Sequence, residues 1–257
     1  MNNCTTVVGL DVHKDSIVAA VLPPSLNKPS ETLHLENQPR SVEKMVRRLA
    51  EKGPAEFVYE AGPTGFELQR HLTRLGQRCV VIAPGLIPTR PGDKVKTDRR
   101  DAEKLAPLRR AGQLTAVNVP TRADEADRDL VRAREDVMSE RLRARHRLGK
   151  FLLRHGLVWR TTKAWGVKHR AWLKALHFDL ASQTRTFEAY LRGLEEVEAR
   201  LDGLDREVLA LATNGTWNKL VANLRCLKGV DTLSALTLAV EIRDFRRFAS
   251  AREFMGY

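Results

Sequence analysis

The feature that most constrains this chain is a single carboxylate, Asp11, inside an apolar run near the N-terminus. Residues 7–22 are rich in β-branched side chains on both sides of a short polar turn, a pattern typical of two strands joined as a hairpin. Burying a lone ionised aspartate is unfavourable unless it is hydrogen-bonded or binds a cation. Asp11 is therefore either a hydrogen-bonded structural residue or a metal ligand.

The net charge narrows the class of partner. The chain has 257 residues and a formal net charge of +12, which favours a polyanionic partner, either nucleic acid or an anionic membrane surface. We favour nucleic acid over a merely solubilising charge because the arginines and lysines are clustered. No apolar run is long enough to span a membrane, so we expect no membrane partner. The three cysteines are widely separated, which argues against a disulfide framework and indicates the cytoplasm.

Residues 1–122 are predicted to form an α/β domain. After the hairpin, strands are expected at 31–36, 55–60 and 78–83, with helices between the later ones, which suggests a mixed sheet packed against helices. Ser41 is predicted to cap the first helix and Gly53 to end it. A loop rich in proline, glycine and basic residues is expected at 84–97, and it leads into another helix.

Acidic side chains stand at comparable places in this domain. Glu60 ends a predicted strand, and Asp98 and Asp101 lie on one face of the next helix if that segment is helical. Acidic residues are favourable in any first helical turn, so this pair alone is ambiguous. In a ribonuclease H-like fold, these positions and Asp11 converge at one edge of the sheet. Carboxylates that lie so close together cannot all stay ionised unaided, because like charges raise each other's pKa. A hard divalent cation such as Mg²⁺ offsets this repulsion.

Residues 123–215 are predicted to form a helical coiled-coil region with long helices at about 123–156 and 182–212. The second helix carries a clean apolar heptad, and the first an imperfect one. The helices could pair with each other or with another copy of the chain, and we expect a homo-oligomer. The predicted seam of the first helix consists of Ala126, Leu130, Ala133, Val137, Ala144 and Phe151.

Basic residues concentrate in the second half of the first long helix and in the segment after it. There they are interleaved with Trp159, Trp165 and Trp172, a mixture that suits contacts with nucleic-acid backbone and bases. Amphipathic packing of long basic side chains explains the same pattern about equally well. The predicted nucleic-acid contacts are Arg141, Arg143, Arg145, Arg147, Lys150, Lys163, Lys168 and Arg170.

Residues 216–257 are predicted to be the start of a further, helix-turn-helix-like domain. A turn containing Gly229 joins two of its helices, and such turns can present backbone N–H groups to a phosphate. Asp231 lies at the same turn and argues against an anion site there, because it stands where the anion would approach.

Several motifs together resemble one known family. They are residues 9–14, 59–65 and 96–102, and the segment from 227–230 through 254–257 also matches. On these residues the chain resembles the DEDD transposases of the IS110-like insertion sequences, which are related to the pilin-gene inverting recombinases. The resemblance covers the whole chain.

This resemblance implies a RuvC-like N-terminal domain, a coiled-coil middle region and a C-terminal transposase domain. It also implies Mg²⁺-dependent DNA cleavage and strand exchange, guided by an RNA that the element encodes. The residues implied for catalysis and Mg²⁺ binding are Asp11, Glu60, Asp98 and Asp101.

The family is also expected to use a serine nucleophile in its C-terminal domain. The matching stretch lies beyond residue 257, and neither Ser234 nor Ser250 is assigned to that role. We therefore expect a truncated chain with an incomplete C-terminal domain, which binds metal and nucleic acid but does not complete strand exchange alone.

Two other functions stay open from the residues. Gly9, Leu10 and Asp11 before a hairpin could form the phosphate site of an actin-like ATP phosphotransferase, although the further glycine-rich loops of such enzymes are not evident. Alternatively, the basic helices could belong to a non-catalytic nucleic-acid-binding protein with a degenerate acidic domain.

Overall fold

The computed structural model describes residues 5–88 and 98–256. The chain divides into two compact units, Met1–Val119 and Pro120–Tyr257. The domain boundaries predicted after residues 122 and 215 stay predictions. Residues 89–97, which make up most of the predicted basic loop and include the N-cap position of the helix beginning at Asp98, lie outside the described residues.

A five-stranded mixed sheet forms the first unit, which confirms the predicted α/β class. The strand order is β3-β2-β1-β4-β5. Strand β2 is antiparallel to β1 and β3, whereas β4 is parallel to β1 and β5. The elements in chain order are β1 (Thr6–Val12), β2 (Ser16–Leu22), β3 (Glu31–Glu36), α1 (Pro39–Ala50), β4 (Ala55–Glu60), α2 (Glu67–Arg74), β5 (Arg78–Ile82) and α3 (Asp98–Arg110).

The two faces of the sheet bury different helices. Because side chains alternate along a strand, Val8 and Leu10 of β1 point to one face, where they share a core with residues of α1 and α2. Val7 lies on the opposite face, in a second core with Leu105 and Ala106 of α3. Gly9 and Asp11, which follow Val7 at steps of two residues, therefore face α3.

Gly9 brings α3 unusually close to β1. A Cβ atom at this position would lie 2.2 Å from the carbonyl oxygen of Ala102 and 3.1 Å from the Cβ of Leu105. The absence of a side chain thus lets the helix backbone rest directly on the strand. This contact brings the first turn of α3 near the end of β1.

The start of α1 differs from the prediction. The helix begins at Pro39 with Gln38 as its N-cap, and Ser41 is already inside it. Proline is favourable at the first helical position because its fixed φ suits the helix and its missing N–H would have no partner there. The buried face of α1 consists of Val42, Met45, Val46 and Leu49.

The second unit is helical. In the described residues no helix combines the length and the apolar character that crossing a membrane requires. Its helices are α4 (Arg122–Arg154), α5 (Val167–Lys174), α6 (Ala181–Asn214), α7 (Asn218–Leu224), α8 (Thr232–Ile242) and α9 (Ala251–Met255).

Helices α4 and α6 pair with each other in an antiparallel hairpin. The guanidinium of Arg134 in α4 contacts Asp205 of α6 at 2.7 Å, and Arg145, farther along α4, contacts Glu198 at 2.7 Å. Residues later in α4 therefore pair with residues earlier in α6, so the two helices run in opposite directions. The C-terminal half of α6 also shares a core with α7 and α8, so the two regions that were predicted separately pack together.

The predicted seam of α4 is partly wrong. Ala126 and Ala133 are exposed, whereas Val131, Arg134, Leu148 and Leu152 are buried, so much of the inward face is displaced from the predicted positions. A search for apolar residues misses this face because it includes Arg134, which is buried and pairs with Asp205 of α6. Of the predicted positions, Ala144 and Phe151 are buried.

We expect Gly9→Ala to destabilise the first unit. The added methyl group would collide with the backbone of α3, and such overpacking typically costs about 1–3 kcal/mol. Urea unfolding followed by circular dichroism measures the change. Gly85→Ala is the matched control, because nothing lies within 4 Å of a Cβ at that position. An unfolding free energy for Gly9→Ala equal to that of the wild type would contradict this account of the contact.

Candidate metal centre and basic surface

The candidate metal centre begins at the end of β1. Strand alternation places Asp11 on the face of β1 that Gly9 shares with α3. His13 is the first residue after the strand, and its ring lies against the carboxylate of Asp11. The Nε2 atom of His13 lies 3.2 Å from Oδ2 of Asp11. The side chain of Asp11 is 21% exposed, and that of His13 is 51% exposed.

Helix α3 adds a second carboxylate. Asp98 is the first residue of this helix, and its Oδ1 atom lies 3.6 Å from Nε2 of His13. Asp11, His13 and Asp98 each offer one donor atom, and these three atoms lie within 4.8 Å of one another. Among the described residues, this compact group excludes Glu60 and Asp101.

Glu60 and Asp101 lie next to members of this group in the fold, Glu60 on the strand beside Asp11 and Asp101 on the same helix as Asp98. Strand β4 runs parallel to β1 with Tyr59 opposite Leu10, so Glu60 follows in register with Asp11 on the neighbouring strand. The buried Tyr59 hydroxyl donates a hydrogen bond to the carbonyl of Gly65 at 3.1 Å, which fixes the turn after Glu60. Asp101 lies one helical turn after Asp98 in α3.

The electrostatics of Asp11 reflect this crowding. Burial raises the pKa of its carboxyl above 3.8, and the negative charges of Asp98 and Asp101 raise it further, while contact with His13 acts in the opposite direction. A carboxylate in this position is incompletely compensated by its neighbours when ionised.

This donor set fits a divalent cation. Two carboxylate oxygens and an imidazole nitrogen converge, and a cation among them would offset the cost of burial and the repulsion that together raise the pKa of Asp11. His13 was not among the residues predicted from the sequence. The signal was present, because aspartate and histidine two apart in a predicted strand share a face. The ligands predicted from the sequence were all carboxylates.

Two of the eight predicted nucleic-acid contacts, Arg145 and Arg170, are paired with an acidic residue inside the second unit. Glu198 accepts hydrogen bonds from Arg145 and from Arg170, both at 2.7 Å. Burial opposes ionisation of Glu198, but these two hydrogen bonds outweigh it and hold the pKa of the carboxyl below its usual range. Arg145 and Arg170 thus join α4, α5 and α6.

Other predicted contacts are open to solvent. Arg143, Arg147 and Lys150 are exposed, and their spacing along α4 puts them on one face, which we call the α4 basic stripe. Lys163 and Lys168 are also exposed, and Arg141 is partly buried.

The three tryptophans pack within the second unit. Trp172 stacks on His169 with ring centroids 5.4 Å apart, and Trp159 lies 5.5 Å from Trp172. The Arg145 guanidinium lies 5.1 Å from the centroid of the Trp165 ring. Packing, one of the two interpretations of the sequence, therefore describes these residues.

The helix N-terminus after Gly229 is already capped. The carboxylate of Asp231 accepts a hydrogen bond at 2.7 Å from the backbone N–H of Ser234, at the start of α8. This agrees with the argument from sequence against an anion site at that turn.

We expect Asp11→Asn to raise the melting temperature of the metal-free protein at neutral pH. A raised folded-state pKa means that the carboxyl stabilises the fold fully only below its unfolded pKa, and this stabilisation is lost as the pH rises through the folded value. The difference between variant and wild type should therefore narrow as the pH falls toward 3.8. Thermal unfolding in EDTA measures it. Asp15→Asn, at an exposed residue of the same turn, is the control; a lower melting temperature for Asp11→Asn at neutral pH would refute the assignment.

Comparison with known proteins gives consistent matches. The family model DEDD_Tnp_IS110, described as transposase, matches residues 8–156, which include all four predicted acidic residues and more than half of the chain. The chain is 37% identical over 248 residues to the transposase for insertion sequence element IS1533 of Leptospira borgpetersenii, covering 95% of this chain and 72% of that protein.

Two further relatives carry related names. The putative transposase y4qE of Sinorhizobium fredii is 41% identical over 201 residues, which are 78% of this chain and 48% of that protein. The transposase for insertion sequence element IS1328 of Yersinia enterocolitica is 25% identical over 255 residues, covering 97% of this chain and 71% of that protein. With the family model spanning the strand and helix that bring Asp11 and Asp98 together, the chain belongs to the IS110 family of DEDD transposases, enzymes that act on DNA.

Proposed function

We propose that this chain is a Mg²⁺-dependent DNA transposase of an insertion sequence, with a RuvC-like first unit that carries the catalytic centre. The convergence of Asp11 and Asp98 at the end of β1 is the observation that carries the proposal. The residues proposed to hold Mg²⁺ and to serve in catalysis are Asp11, Glu60, Asp98 and Asp101.

The proposed residues divide the work by position. When bound, Mg²⁺ supplies charge neutralisation on a phosphodiester and activation of an oxygen nucleophile. Asp11 and Glu60 come from neighbouring strands and provide carboxylates on a rigid sheet. Asp98 and Asp101 come from the first turn of α3, and Gly9 keeps that helix against the sheet.

DNA and an RNA encoded by the element are the proposed nucleic-acid partners. The α4 basic stripe supports this part, because its three exposed cations have room to contact phosphates. Lys163 and Lys168 are proposed to add to the same electrostatic attraction, and Arg141 from its partly buried position. Arg145 and Arg170 contribute chiefly by holding the helices together through Glu198.

We also propose a homo-oligomer acting in the cytoplasm. The long helices α4 and α6 support assembly, since their outward faces are exposed along many turns. A non-catalytic nucleic-acid-binding protein and an actin-like phosphotransferase are the alternatives, and family membership favours the transposase over both.

Removing a proposed ligand should weaken Mg²⁺ binding. We expect Asp11→Ala and Glu60→Ala each to reduce the affinity at least about tenfold, since metal affinity is sensitive even to residues that only support a ligand. Isothermal titration calorimetry of the folded protein measures the change. Asp15→Ala serves as the control at an exposed carboxylate. Unchanged titrations for both variants would remove the proposed metal centre.

The α4 basic stripe can be tested by salt dependence. Replacing Arg143, Arg147 and Lys150 with glutamine should weaken the binding of duplex DNA. The negative slope of log K against log salt should become less steep by about 2.7, at about 0.9 per phosphate contact. Fluorescence anisotropy over a range of salt concentrations gives the slope.

A matched variant separates the stripe from overall charge. Glutamine at Arg185, Arg192 and Arg206, all exposed on α6, lowers the net charge by the same amount. We expect a smaller change in slope for this variant. Equal slopes for the two triple variants would mean that binding depends on total charge and would contradict a defined surface on α4.

A further inference from the structure

We propose that His13 is itself a ligand of the divalent cation, through Nε2, alongside Asp11 and Asp98. This inference rests on the proposed function, because it concerns the same metal centre. Its consequence is a mixed nitrogen and oxygen site, with a stronger preference for first-row transition ions over Mg²⁺ than four carboxylates alone would give.

The distances at the centre suit shared coordination. Two ligand atoms bound side by side to one octahedral ion at about 2.1 Å are about 3 Å apart. The Nε2 atom lies 3.2 Å from Asp11 Oδ2 and 3.6 Å from Asp98 Oδ1, so both separations are close to that edge length. Small side-chain adjustments bring the three atoms around one ion.

The backbone of His13 is held in place at two points. Its N–H donates a hydrogen bond to the carbonyl of Ser16 at 2.9 Å. Its carbonyl accepts a hydrogen bond from the side-chain amide of Asn37 at 2.8 Å. The backbone N–H of Asn37 also donates to the carbonyl of Asp15 at 3.0 Å, which ties the whole turn to the residue following β3.

This anchoring matters for a half-exposed side chain. Although the His13 ring is 51% exposed, the two backbone hydrogen bonds hold the residue next to the end of β1, and the ring contacts Asp11 at 3.2 Å. Less conformational freedom is lost on binding when the backbone of a ligand is already fixed.

The chemistry of the donor atoms sets the metal preference. Carboxylate oxygens suit Mg²⁺, Ca²⁺ and Mn²⁺, whereas an imidazole nitrogen favours transition ions. With His13 bound, Mn²⁺ should be held more tightly than Mg²⁺, and the difference should depend on the ring. If His13 only donates a hydrogen bond to Asp11, no such dependence exists.

Spin-echo spectroscopy of the Mn²⁺-loaded protein distinguishes these roles. A directly bonded imidazole nitrogen modulates the electron spin echo of Mn²⁺. We expect this ¹⁴N modulation in the wild type, its loss in His13→Ala, and its retention in His34→Ala, which removes an exposed histidine of β3. Circular dichroism checks that each variant is folded.

Calorimetry provides the second measurement. The ratio of the Mg²⁺ to the Mn²⁺ dissociation constant should fall at least about tenfold in His13→Ala. His13→Glu supplies an oxygen ligand from the same position, so it should keep Mn²⁺ bound without ¹⁴N modulation and should lower the same ratio.

The outcomes separate this inference from the proposed function. Bound Mn²⁺ without ¹⁴N modulation in the wild type would overturn the role of His13 while leaving a carboxylate metal centre. Modulation that persists in His13→Ala would also overturn it, since the nitrogen would come from elsewhere. Failure of the wild type to bind either ion would overturn the metal centre as a whole.

Discussion

The close contact between β1 and α3 at Gly9 is the constraint on which the metal centre depends. Asp11 and Asp98 are distant in sequence, and they meet only because the helix backbone lies directly on the strand. Any side chain at Gly9 would push α3 away from β1 and move Asp98 and Asp101 with it. Gly9, which has no side chain, therefore determines how closely Asp98 approaches Asp11.

Much of the first unit could be predicted from the sequence, for physical reasons that are easy to name. Strands β3 and β4 have the predicted bounds, because alternating and β-branched residues are flanked by turn-forming residues. The side of the sheet that carries Asp11 and Glu60 follows from alternation. The start of α1 was missed because Pro39 at the first helical position outweighs a serine two residues later.

The second unit shows why composition alone misjudges basic residues. Arg145 and Arg170 look in sequence like Arg143 and Arg147, yet Glu198 binds the first two. That partner lies on another helix, far along the chain, so no local pattern reveals it. A similar ion pair hides part of the inward face of α4, because Arg134, buried against Asp205, counts as a surface residue in a search for apolar periodicity.

The ion pairs of the α4–α6 hairpin have a consequence for how the two helices align. Sliding α6 by one heptad would shift its residues by about 10 Å, since each residue rises 1.5 Å. Asp205 and Glu198 would then leave Arg134 and Arg145 without counter-charges in a largely dry interface. Apolar heptads alone tolerate such a slip, because each heptad presents similar side chains. The ion pairs form in only one register, so they fix how α4 and α6 align.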